Sequence, residues 1–218
     1  MRSKFFPDAR FAETDGFGFL GAGLELRVDV LVDAYSHGIF PWPSNEGLIP
    51  WCSPEPRAII PLDAVHISKR LRRTIRSERF AVTIDNDFDG VINGCANVPQ
   101  RRDECWIIPA MVRAYKQLHQ SGYAHSVEVW YGNKLVGGVY GVSVGRFFAG
   151  ESMFHTVTDA SKVALAKLIE HLQTQGCLLF DVQMVTSITS TFGAIEIPRE
   201  EYLKRLENVI KEGGRMKF

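Results

Sequence analysis

Charge imbalance is the first thing this chain lacks. Its 218 residues carry 25 Lys and Arg against 25 Asp and Glu, a formal net charge of zero. Contact with nucleic acid by bulk attraction is thereby excluded, and any such contact must come from a local patch. Long apolar runs are missing too: none approaches the roughly 18 residues that a membrane-spanning helix needs. The opening Met1-Arg-Ser-Lys-Phe-Phe-Pro-Asp has no apolar leader core, so neither secretion nor a membrane anchor is expected. Cysteine is sparse. Cys52, Cys95, Cys105 and Cys177 contain no C-x-x-C pair, which speaks against structural zinc or a disulfide framework and fits free thiols in a reducing cytoplasm. The histidines do not cluster along the chain; His119 and His125 flank the turn-like Ser121-Gly122 and are read as structural. Repeats and low-complexity tracts are absent.

What is present is an ordinary globular composition, 45% hydrophobic and 23% charged, enough to bury a core. Residues 1–62 hold Pro7, Pro41, Pro43, Pro50, Pro54, Pro56 and Pro61. They leave room for one helix, about Arg27 to His37, with Val28, Leu31, Val32 and Tyr35 at helical spacing and Gly38 to stop it. This predicts a small N-terminal domain over 1–62 and a larger one over 63–218.

The sharpest charge feature is 66–79. Ser68 is placed to cap a short helix, on which Lys69, Arg72, Arg73 and Arg76 share one face, with Arg70 beside them, while Ile67, Leu71 and Ile75 share the other. A basic face pinned by an apolar back suits a phosphate rail; a solvated surface helix would read the same way.

The core of the chain is the glycine-punctuated stretch Lys134 to Phe154. His125–Tyr131 alternates as a strand, Gly132-Asn133 turns, and Lys134–Val144 completes a hairpin, followed by a strand over Arg146–Glu151. Phe80–Ile84 adds another strand, with helices at about Phe88–Ala96 and Pro109–Ser121, where Pro109 suits a first turn. A helix should run from an Asp159 cap to Gln175 with Gly176 as its stop. A short strand from Leu178, a strand over Gly193–Pro198 and a closing helix over Arg199–Lys211 complete the order. The class is α+β. Strands, helix, strand, helix resembles the N-acetyltransferase-like fold, a mainly antiparallel sheet flanked by helices. That fold usually cradles acyl-coenzyme A on a glycine-rich turn, whereas the matching His155–Lys162 has no glycine, so the backbone cradle for a pyrophosphate is not supplied in the usual way.

A more specific resemblance rests on many short motifs in order: Phe40-Pro41-Trp42, Trp51-x-Ser53-Pro54-x-Pro56-Arg57, His66-Ile67-Ser68, Trp106-Ile107, His125-Ser126-x-Glu128-Val129-Trp130, Leu135–Gly141, Gly150-Glu151-Ser152-Met153-Phe154, Ala160-Ser161-Lys162, Asp181-x-Gln183 and Gly193–Arg199. Over about residues 30–205 these are similar to the leucyl/phenylalanyl-tRNA–protein transferases. The resemblance implies transfer of Leu or Phe, with Met a further candidate, from aminoacyl-tRNA to proteins beginning with Arg or Lys, as a tag for N-degron proteolysis. It implies no metal or coenzyme, a cytoplasmic location and a monomer. It puts Asp181 and Gln183 at the reacting centre. Their spacing of two on a strand would aim both at one face, with Asp181 orienting Gln183 for a proton relay, although transfer assisted by the substrate's own ribose hydroxyl stays open. It puts Trp42, Trp106, Glu151 and Arg57 at the tRNA 3′ end, although Glu151 would equally suit the peptide amine and either tryptophan a domain interface. It puts Val139, Phe148, Met153, Leu165, Leu168 and Phe180 around the aminoacyl side chain, where helix and strand spacing alone would also read them as core. A coenzyme A-dependent N-acyltransferase and a non-catalytic module for tRNA ends or N-termini are the alternatives. The chain departs from the family pattern at Thr186, Ile188 and Thr191-Phe192, where Asn, His and Ser-Leu are usual.

Overall fold

The computed structural model describes residues 2–43, 47–98 and 107–218. Its centre is the hairpin of β6 (Ala124–Tyr131) and β7 (Lys134–Val144). Eight consecutive residues of β7 are buried, the mark of a strand covered on both faces. Consecutive glycines make that cover close. A Cβ on Gly138 would come within 2.7 Å of Val91, and one on Gly137 within 2.7 Å of Ala160, so the helices bearing these residues approach from opposite sides.

Around the hairpin lie β8 (Phe147–His155), β5 (Ala81–Ile84), β9 (Leu179–Gln183), β4 (Arg57–Ile59) and β10 (Ile195–Ile197). The seven strands run in the order β10-β4-β9-β8-β7-β6-β5. Each pairing is antiparallel except β8 with β9. A second sheet of three strands, β1 (Phe19–Ala22), β3 (Pro50–Cys52) and β2 (Phe40–Pro41), is built from the proline-rich segment.

One face of the large sheet carries α1 (Val28–Ser36), α3 (Phe88–Ala96), α4 (Pro109–Gln120) and α6 (Arg199–Glu212), whose apolar residues share a core with Tyr140, Phe147 and Ala149. The other face carries α5 (Ala160–Thr174), with the apolar back of α2 (Lys69–Arg76) against it. The result is a mixed α and β layered structure with a mainly antiparallel sheet.

Local signals account for most of these boundaries. Ser68 caps α2 by accepting from the Leu71 N–H at 3.2 Å, and Pro109 opens α4. Gly176 takes φ +68° after α5, the left-handed turn that glycine allows at no steric cost. Three expectations change. Asp159 precedes α5 but sits at φ +70° and caps nothing; its carboxylate faces Arg70 and Lys162 instead. β8 extends four residues past Glu151, because pairing with β7 continues to His155. The last strand shrinks to three residues, as Gly193 is spent at φ +89° closing a 3-10 turn.

His119 and His125, separate in sequence, meet Asp85 where β5 ends against β6; the three offer ligand-type atoms within 4.8 Å of one another. His125 Nδ1 bonds Asp85 at 2.7 Å and its ring stacks on Phe218, while His119 Nδ1 bonds the Ala124 carbonyl and its ring stacks on Phe88. Separate in sequence and expected to be structural, the two rings thus join Asp85 in one group of metal-ligating residue types. Among the described residues no helix is long and apolar enough to cross a membrane.

Candidate active site

The parallel pair β8–β9 is short. Phe147, Phe148 and Ala149 pair with Leu179, Phe180 and Asp181, and then the strands part. β8 stays with β7 across a register shift at Tyr140/Gly141. β9 is diverted: its pairing with β4 skips from Asp181 to Gln183 opposite Ile59 and Ala58, so Val182 is the extra residue of a bulge, a device that re-aims side chains. Gln183 itself adopts φ +57°, uncommon for a residue with a side chain and the mark of a constrained position.

Between the diverging strands lies a cleft of about 280 Å³. Gly150, Glu151, Ser152 and Met153 supply one wall, Val182, Gln183 and Met184 the other. Val139, Leu165 and Phe180 line it as well, with Trp42 and the Thr186–Thr189 turn. That turn is held by its own threonines, the Thr186 N–H donating to Thr189 Oγ1 at 2.8 Å and the Thr189 N–H to Thr186 Oγ1 at 3.1 Å.

The bulge overturns the expectation that Asp181 and Gln183 face the same space. Asp181 is fully buried and does not line the cleft. Its Oδ1 accepts from Arg57 Nε at 2.9 Å and from the Gln183 N–H at 2.9 Å; its Oδ2 accepts from Arg57 Nη2 at 2.6 Å and Tyr202 Oη at 2.8 Å. Arg57 is equally closed. It is 1% exposed, gives Nη1 to the Gly38 carbonyl, and lies over the rings of Phe40 and Tyr202 at 4.8 and 4.5 Å. Burial, the largest single influence, works against the guanidinium's charge, but Asp181, Tyr202 and Glu151 together outweigh it and hold the Arg57 pKa above its ordinary value. Ion pairs removed from water this completely persist when the geometry is bidentate and the remaining donors and acceptors are satisfied. Arg57 is not among the residues that line the cleft.

Gln183 lies between that cluster and a second one. Its Nε2 donates to Glu151 Oε1 over a long 3.4 Å, and Glu151 Oε2 accepts from Tyr115 Oη at 3.1 Å. Tyr115 in turn shares a short hydroxyl–hydroxyl bond with Tyr35 of α1. Burial pushes the Glu151 carboxyl up to about 7, against the pull of the two tyrosine hydroxyls. The hydroxyls of Tyr35 and Tyr115 are themselves raised well above the usual phenol value, by burial first and by the carboxylate next.

Of the six residues expected around an apolar side chain, Val139, Met153, Leu165 and Phe180 line the cleft. Phe148 and Leu168 do not; they are 0% and 1% exposed and belong to the core beneath α5. Trp42 stacks on Phe17 at 4.9 Å, and Phe17 is 44% exposed. Trp106 lies outside the described residues. Lys69, Arg70, Arg72, Arg73 and Arg76 are all exposed on α2, with Arg70 3.6 Å from Asp159 and Arg72 Nε donating to the Ile67 carbonyl. Sequence reasoning missed Tyr35, Tyr115, Tyr202 and Phe17. A tyrosine on an otherwise apolar helix face was the available signal for the first three, since a buried phenol needs a partner; Phe17 had none.

The family model described as leucyl/phenylalanyl-tRNA protein transferase matches residues 59–207, and the model of that transferase's N-terminal domain matches 25–55. Among curated proteins, the leucyl/phenylalanyl-tRNA–protein transferase of Solidesulfovibrio magneticus is 49% identical over 210 residues, covering 96% of this chain and 84% of that protein. The protein of the same name from Pseudoalteromonas atlantica is 46% identical over 210 residues, covering 96% and 90%. Among solved structures, L-PGS from Bacillus licheniformis is similar with a TM-score of 0.39 at 12% identity, covering 71% of this chain and 50% of that one.

Proposed function

The chain belongs to the leucyl/phenylalanyl-tRNA protein transferase family, and from that premise we propose that it moves leucine or phenylalanine, and secondarily methionine, from aminoacyl-tRNA to the α-amino group of proteins beginning with Arg or Lys. The observation that carries the proposal is the cleft at the parted strands: an apolar wall, Gln183 on its edge and Trp42 among its lining residues. An aminoacyl ester is already activated. The protein need only bring an amine to its carbonyl, manage one proton and stabilise an oxyanion, which asks for neither a metal nor a coenzyme.

In this reading Val139, Met153, Leu165 and Phe180 receive the aminoacyl side chain. Trp42, supported from behind by Phe17, stacks on the terminal base, a contact worth roughly 1–3 kcal/mol; Trp106 is proposed as a second such contact. Gln183 addresses the reacting carbonyl, and Asp181, through the Gln183 N–H, sets its position. The exposed cations of α2 track phosphates. Asp159 at the start of α5 would repel a pyrophosphate, which counts against a coenzyme A-dependent acyltransferase. The finer fold assignment, acetyltransferase-like, the division near residue 62, a cytoplasmic monomer and a role in N-degron tagging are parts of the same proposal.

The test is transfer of labelled leucine from tRNA to peptides that differ only in their first residue. Labelled Arg- and Lys-peptides, with the signal abolished by ribonuclease, are the expected result; no transfer to any peptide would overturn the reading. Reversing Arg72 and Arg76 to Glu should raise the KM for tRNA about tenfold or more at low salt and flatten its salt dependence, while melting temperature and kcat stay as they were.

A further inference from the structure

We propose that Glu151 is the proton-transfer residue of this site, taking the proton from the attacking amine and returning it to the departing ribose oxygen, and that the Tyr35–Tyr115 hydroxyl pair holds it in register for that task. The inference rests on the transferase reading above and gives a reactive role to a residue first expected only as a contact to the terminal adenosine or the peptide amine.

The geometry comes first. Glu151 lines the cleft, and its two oxygens face different neighbours: Oε2 takes the Tyr115 hydroxyl at 3.1 Å, whereas Oε1 has the Gln183 amide at 3.4 Å. A bond of that length is weak, so Oε1 can turn to a substrate at little cost. Asp181 has no such latitude, since both its oxygens are fully engaged. Gln183 offers an amide, a poor base; through Nε2 it is a donor, suited to a carbonyl oxygen that is gaining charge.

The step balances without any further reactant. The acceptor enters as the free amine. Its nitrogen bonds to the ester carbonyl carbon, whose C=O electrons move onto oxygen, and Glu151 removes the surplus proton from nitrogen. The electrons then return, the bond from carbon to the ribose oxygen breaks, and the proton held by Glu151 goes to that oxygen. The products are the peptide amide and the free ribose hydroxyl, with Glu151 again a carboxylate.

Among the described residues, the charged and titratable groups that face Glu151 come from four elements: Tyr35 on α1, Tyr115 on α4, Asp181 on β9 and Arg57 on β4. Burial and Asp181 favour its neutral form, while the two hydroxyls and Arg57 favour the carboxylate. A balance near neutrality is what a group that must both accept and release a proton requires.

The test is kcat against pH from 5.5 to 8.5, with leucyl-tRNA and an Arg-peptide saturating. Wild type should lose rate on the acid side with a midpoint near 7. Glu151→Gln should fall by about a hundredfold and lose that limb. Tyr115→Phe, which removes one donor to the carboxylate, should keep the limb but move it upward by about one pH unit; a merely structural tyrosine would change the rate without moving the midpoint. An acid limb that survives in Glu151→Gln belongs to the substrate's own amine and would overturn the proposal, as would an unmoved limb in Tyr115→Phe. Because Tyr115→Phe keeps the ring that packs the core, it decides the matter even where Glu151→Gln folds poorly. Wild type that fails to transfer at all refutes the transferase reading instead, so the two failures are distinguishable.

Discussion

Two polar clusters flank Gln183, and they are built to opposite ends. On one side Arg57, Asp181 and Tyr202 form a closed set: the carboxylate accepts four hydrogen bonds and the guanidinium lies over two rings. On the other side Glu151 accepts the Tyr115 hydroxyl on one oxygen, while the other has only a long contact to Gln183 and an open approach from the cleft. Asp181 is fully buried and Glu151 largely so, and that difference alone does not make one acid structural and the other reactive. The number of satisfied lone pairs does. A carboxylate with every acceptor position taken can only hold its neighbours still, and Asp181 holds the Gln183 backbone. A carboxylate with one uncommitted oxygen at the edge of a cavity retains chemistry.

That contrast can be broken experimentally, and the largest effect should fall on the closed cluster. Asp181→Ala strands a buried guanidinium and should cost about 3–5 kcal/mol of folding stability, read from denaturant midpoints; Glu151→Gln should cost far less. Equal losses would erase the distinction. Next comes Gln183→Ala, which should lower kcat about a hundredfold with little change in the denaturation midpoint. A near-normal kcat would show that the residue between the clusters serves neither.

The smallest effect concerns pH. Glu151 holds its proton up to about pH 7 in the fold, against an ordinary value of 4.5, so the folded protein binds more protons than the unfolded chain between those limits. The unfolding free energy should therefore fall as pH rises through that window. With part of Glu151 open to solvent the change is on the order of 1 kcal/mol. Glu151→Gln should flatten the slope between pH 5 and 7.5 in denaturation midpoints, and an identical slope in the variant would place the titration elsewhere.

Much of this was legible in the chain, and the reason is local. Hairpin alternation, the Ser68 cap, the Pro109 start and the Gly176 stop each depend on neighbours a few residues away. The site was legible only in part. The motifs marked Glu151, Asp181, Gln183 and Trp42, but not how they divide the work. Arg57 looked like a cation available to tRNA because its partner is 124 residues further on. Tyr35 and Tyr115, 80 residues apart, carry no shared periodicity. Period-two reasoning put Asp181 and Gln183 on one face, and a single bulged residue, Val182, undid it. Likewise, Phe148 and Phe180 are apolar partners across β8 and β9, yet of the two only Phe180 lines the cleft.

The left-handed backbone of Gln183 has a consequence for how this position can change over time. Glycine is the residue its main chain would accept with least strain, yet glycine would delete the amide at the cleft edge. Conformational ease and chemistry therefore pull the codon in opposite directions. A descendant that has traded its glutamine for glycine would retain the architecture while abandoning the reaction, and that single position would be the place to look for it.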